Sequence, residues 1–205
     1  LLWWTVAVHL VASMVMVWLA VLLFVKIGEP DDGVPVVQIP APLRYLTALS
    51  GVALAAVLVA GTFVTGAGPH AGDKSIERTV PRLEIEIVTL VHAHAQLVVA
   101  YLCLLIGLAF GLWTVGASKA VQLRLKVLLA LVVAQGLVGV VQYLTDVPAA
   151  LVAIHVGGAA ACTAATAALW AAGVSYERLE TANTPIADGI SSPQPQGTAT
   201  QKGQK

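Results

Sequence analysis

The chain has 205 residues and no net charge; 58% of its residues are hydrophobic and only 11% are charged, with a mean hydropathy of +0.86. A soluble domain carries about 25% charged residues, so this composition excludes a water-soluble globular fold and makes lipid the solvent. Zero net charge gives no electrostatic basis for binding nucleic acid.

The chain opens at Leu1 directly into an apolar run, without the basic region or small-residue cleavage site of a signal peptide. It reads as starting inside or just before a membrane span. Five stretches lack Asp, Glu, Lys and Arg: residues 1–25, 45–69, 87–118, 127–145 and 147–176. Each reaches or approaches the roughly 20 helical residues that cross a bilayer. None shows the period-two alternation of barrel strands. The predicted fold is therefore all-α and polytopic, with five transmembrane helices.

The connections differ in character. Residues 26–44 contain Pro30, Pro35, Pro40 and Pro42 and read as an irregular loop. Residues 66–82 are polar and of mixed charge. Residues 119–126 form a short loop carrying Lys119, Arg124 and Lys126 without an acid. Asp146 sits in a tight turn before Pro148, a residue suited to the first turn of a helix. Residues 175–205 read as a disordered, solvated tail. Cys103 and Cys162 lie in apolar runs and read as small buried hydrophobes. Basic residues mark cytoplasmic loops. Lys26, Arg44, Lys119, Arg124, Lys126 and Arg178 put loops 26–44 and 119–126 and the tail in the cytoplasm. Spans one, three and five then run from outside to inside.

Of five histidines, His9, His92, His94 and His155 fall within predicted spans, where ionisable groups are costly and usually face a functional interior. His9, His92 and His155 each lie towards the outer end of an inward-running span. His92 and His155 come roughly 10–15 Å below the boundary at 1.5 Å per residue. Two imidazoles at one depth on parallel helices are what bis-histidine ligation of a haem iron requires. Gly157 and Gly158 follow His155, and small residues there leave room for a flat macrocycle or for close helix packing. His94 is about 200° around the helix from His92, so both cannot face one haem. His92 is the expected ligand. His94 is expected to bond a neighbouring helix or a haem propionate. His70 is expected in solvent or near a propionate.

The segment from Gly61 through Val64-Thr65-Gly66-Ala67-Gly68-Pro69-His70-Ala71-Gly72-Asp73 resembles the outer-loop motif of actinobacterial-type haem A synthases. Val91-His92-Ala93 is similar to the head of that family's next span. Ala134-Gln135-Gly136-Leu137-Val138-Gly139, Gln142-Tyr143-Leu144-Thr145 and His155 are similar to its last two spans. The resemblance covers about residues 3–174. It implies eight spans in two four-helix bundles, of which this chain holds the last five. Residues 1–25 would close the N-terminal bundle, which holds the haem O substrate through His9 and a partner upstream. Residues 45–174 would form the C-terminal bundle, holding haem b between His92 and His155.

The implied activity is oxidation of haem O to haem A at a ring methyl, in the cell membrane. The implied partners are haem O, lipid, an electron donor of unknown identity, haem O synthase and a second copy of the chain. The family's Glu-x-x-His-Arg element is absent: Glu84 and Glu86 precede His92 by eight and six residues, not three. A cysteine pair found in outer loops of some relatives is absent as well. Two other readings stay open: a non-enzymatic dihaem cytochrome b, and a transporter or structural membrane protein whose histidines only pack.

Overall fold

The computed structural model describes residues 2–68 and 83–178. It is mainly helical. The helices are α1 (Trp3–Ile27), α2 (Ala41–Ala67), α3 (Ile87–Thr114), α4 (Lys119–Leu144) and α5 (Ala149–Ala171), joined by two short strands, β1 (Val34–Val37) and β2 (Val174–Glu177). All five helices are long and apolar enough to cross a membrane. The chain is thus a multi-pass membrane protein. The predicted loop at 66–82 and its His70 fall largely outside the described residues, as does the tail beyond 178.

The span boundaries shift where local chemistry overrides hydropathy. Lys119–Lys126, expected as a loop, is the first two turns of α4, and Ser118 caps that helix by accepting from Val121 N–H at 3.4 Å. The connection from α3 is therefore only residues 115–118. Gly116, at φ +64°, ends α3. Gly116 N–H reaches Trp113 O at 3.1 Å and Ala117 N–H reaches Leu112 O at 2.9 Å. This is the paired closure that a left-handed glycine permits. At the far end of α4, Asp146 and Val147 both have positive φ, 57° and 56°. Val147 N–H bonds Gln142 O at 2.8 Å to make the same six-residue closure. Pro148 precedes α5 as its N-cap rather than sitting inside its first turn.

Two expectations for the remaining loops are corrected. Residues 26–44 contain β1, and the predicted disordered tail begins with most of β2. The strands pair antiparallel, Val34 opposite Glu177 and Val37 opposite Val174. Gln38 Nε2 donates to Ser175 Oγ at 2.8 Å, and the Lys26 ammonium lies 4.1 Å from the Tyr176 ring centre. This ribbon ties the end of α1 to the end of α5.

Helix contacts run α2–α3, α3–α4, α4–α5 and α5–α2, closing a circuit, with α1 lying outside it against α5 and α2. The core lies at the ribbon end of that circuit. Tyr101, Leu105, Leu108, Leu112, Val121, Leu125, Leu128, Val132, Cys162 and Leu169 are at most 4% exposed. Buried hydroxyls cannot turn to water in lipid, so they bond their own helix. Ser50 donates to Thr47 O at 2.7 Å and Thr166 to Cys162 O at 2.8 Å. Tyr101 and Thr166 add a hydrogen bond between α3 and α5, 3.0 Å long.

Candidate functional site: a histidine pair inside the helix circuit

At the other end of the circuit the packing changes. On α3, α4 and α5 no residue from 87 to 100, 133 to 144 or 149 to 161 is buried. The interior positions there continue the heptad steps of the core. Tyr101 leads back to His94, Leu128 and Val132 lead on to Gln135 and Gly139, Cys162 leads back to His155, and Leu54 leads on to Gly61. Gly61, His94, Gly139 and His155 each lie five to seven residues from their helix ends, about 8–10 Å along the axis. Four helices thus bring two imidazoles and two glycines to one level.

The structure places the two histidines of α3 differently. His92 is on an exposed face, whereas His94 is half-buried and points at α2. Its Nδ1 is 3.1 Å from Val57 O, the bond to a neighbouring helix expected of it. A carbonyl can only accept, so Nδ1 carries the proton and Nε2 keeps its lone pair. The carbonyl of Val57 points along α2 toward residue 61, where a side chain would ordinarily shield it. Gly61 leaves it open: a Cβ there would stand 3.3 Å from His94 Cε1.

His155 is half-buried on α5, within Coulombic range of His94. Its ring passes Gly139 of α4, where a Cβ would lie an ordinary 3.7 Å from Cε1. His155 Nδ1 is buried without a hydrogen-bond partner, and so is Gln135 Oε1 on α4. The glycine pair after His155 divides. Gly157 meets open space, but the face of Gly158, expected to be bare, is filled by the Gln135 amide.

His9 is exposed on α1, outside the α2–α5 circuit. The structure therefore brings together His94 and His155 and leaves His92 and His9 on outer faces of the described residues. Val57, Gly61 and Gln135 were not singled out by sequence reasoning as members of a site. The signal for the first two was present: Gly61 stands one helical turn after Val57. A backbone carbonyl as a partner leaves no mark in composition.

Among the described residues the site holds no carboxylate. Two neutral imidazoles in an apolar interior can offer lone pairs to a metal, and one of them has its outward-facing nitrogen fixed as a donor, an arrangement typical of ligating histidines. Comparison with known protein families, with curated proteins and with solved structures finds no match to this chain.

Proposed function

We propose that the histidine end of the α2–α5 circuit is a haem b site, with His94 and His155 as the axial ligands, in a membrane oxidoreductase that converts haem O to haem A. The observation that carries the reading is the His94–Val57 bond of 3.1 Å. It fixes the tautomer that leaves Nε2 able to bind iron, at a level shared with a second half-buried imidazole. The residues fit the group. The two ligand helices enter from the same end, small residues line the level of the rings, and two buried polar atoms there lack partners.

Bound haem supplies a one-electron iron couple. The protein's own part is to hold two neutral nitrogens at matched depth and to exclude water with the apolar walls of four helices. The packed core beneath them keeps α3 and α5 from sliding. His9 on α1 would ligate a second haem, that of the haem O substrate, with an opposing ligand elsewhere in the protein. The basic residues at the ribbon end, Lys26, Arg44, Lys119, Arg124, Lys126 and Arg178, support placing that end in the cytoplasm and the histidine end outside. The resemblance of the Gly61–Asp73 segment and of the Gln135–Gly139 segment to haem A synthases favours this enzyme over a simple dihaem electron carrier.

The test is spectroscopic. The chain purified from membranes supplied with haem should show a low-spin bis-histidine spectrum. His94→Ala and His155→Ala should each abolish it, and His92→Ala should leave it intact. Loss in His92→Ala with retention in His94→Ala would overturn the ligand assignment. Haem A formed from haem O by the protein with its partner helices separates the synthase from an electron carrier.

A further inference from the structure

The two histidines are not equally supported. His94 Nδ1 has the Val57 carbonyl, whereas His155 Nδ1 is buried with nothing to bond. The facing helix presents a second buried orphan, Gln135 Oε1. An unpaired buried polar atom is rare and unfavourable, and here one can donate and the other can only accept.

The two atoms share the α4–α5 seam. Gly139 faces His155, and Gln135, one helical turn earlier on α4, rests on Gly158, one turn later on α5. Gln135 Oε1 lies 2.9 Å from where a Gly158 Cβ would be. Positions three apart on a helix hold their Cβ atoms about 5–6 Å apart. A Gln side chain turns freely about its last two torsions, so Oε1 can swing from Gly158 toward the His155 ring. Gly158 is what allows the amide to lie there, because any side chain would displace it.

We infer that Gln135 is the positioning residue for His155: its Oε1 accepts a hydrogen bond from His155 Nδ1–H and holds the imidazole in the tautomer whose Nε2 lone pair faces His94. The backbone carbonyl does this for one ligand and a side-chain amide does it for the other. The inference deepens the haem reading, and only the ligand role of Nε2 rests on that reading; the tautomer is a property of the chain alone.

The experiment is nitrogen NMR of the full chain, labelled in its histidines and embedded in bilayers, with His155 signals assigned by their loss in His155→Ala. The Nδ1–H tautomer of His155 should predominate in the unmodified chain. Gln135→Met keeps the side chain's length but not its acceptor, and should move the tautomer ratio about tenfold toward Nε2–H. Gln135→Glu keeps an acceptor and should keep the tautomer. In parallel, haem should be held about 10–100-fold more weakly by Gln135→Met. An unchanged His155 tautomer in Gln135→Met overturns the inference. The His94 signals report whether that variant is folded; if they are lost, a Gln135→Glu chain in the Nε2–H tautomer overturns it instead. A chain that takes up no haem yet shows the Gln135-dependent tautomer would sink the haem reading and leave this one standing.

Discussion

The two halves of the α2–α5 circuit follow one heptad register and do opposite things with it. At the ribbon end the inward positions are Leu54, Tyr101, Leu105, Leu108, Leu125, Leu128 and Leu169, all between 0% and 5% exposed. At the histidine end the same stripes carry Gly61, His94, Gln135, Gly139 and His155, and α3, α4 and α5 bury nothing. Lipid is as apolar as leucine, so helices in a membrane are held by close packing rather than by water exclusion. The filled half therefore carries the cohesion. The difference is one of side-chain volume and polarity, since all four helices run through both halves without a proline in their interiors.

The largest expected effect is all-or-none and concerns which half faces which side. Cysteines introduced at Glu84, on the histidine end, and at Lys119, on the ribbon end, should be labelled by an impermeant reagent from opposite sides, with Glu84→Cys reached from outside intact cells. Labelling of Lys119→Cys from outside would invert the proposed orientation while leaving the two halves as they are.

Next in size is a truncation in the filled half. Leu105 and Leu128 are fully buried, and Leu→Ala at such sites costs about 2–5 kcal/mol in soluble proteins. In lipid the transfer part shrinks because the reference is apolar too, so about 2 kcal/mol is expected for Leu105→Ala by unfolding in mixed micelles. The haem spectrum should persist. If the spectrum is lost at native-like stability, the halves are not separable in the way their packing indicates.

Smaller again is a matched pair of glycine changes in the histidine half. A Cβ at Gly61 would sit 3.3 Å from His94 Cε1, and one at Gly139 would sit 3.7 Å from His155 Cε1. Gly61→Ala should displace the His94 ring by a few tenths of an ångström, loosen its bond to Val57 O and weaken haem retention several-fold, within the range of a lost outer-shell bond of about 10–100-fold. Gly139→Ala should leave retention unchanged. Equal effects from both would mean that the Val57 bond does not orient the ring.

The smallest is Tyr101→Phe, which removes the 3.0 Å bond to Thr166 between α3 and α5. Interhelical hydrogen bonds in membranes average about 0.6 kcal/mol. A loss of that order, with the spectrum unshifted, would confine Tyr101 to the filled half; a shifted spectrum would make it the floor of the haem site.

The amino-acid sequence by itself determined the five spans, because a run of some twenty apolar residues has one stable solution in lipid. It also determined that the histidines at 92, 94 and 155 lie near one end of their helices, since rise per residue is fixed. Boundaries were less legible: Lys119–Lys126 reads as a loop by charge, but an exposed basic turn costs a helix nothing once Ser118 caps it. Which of His92 and His94 faces inward needed the tertiary structure. Spans apolar on every side carry almost no amphipathic signal, so hydropathy cannot tell that 94, 101 and 108 face inward while 92, 99 and 106 face outward. Only the packing of α3 against α2 fixes that rotation, by giving His94 a carbonyl that Gly61 has left uncovered. The meeting of Gln135 with Gly158 was likewise out of reach, because it depends on how two antiparallel helices are registered across a seam. Local chemistry places residues along a membrane helix; contacts between helices decide which way they turn.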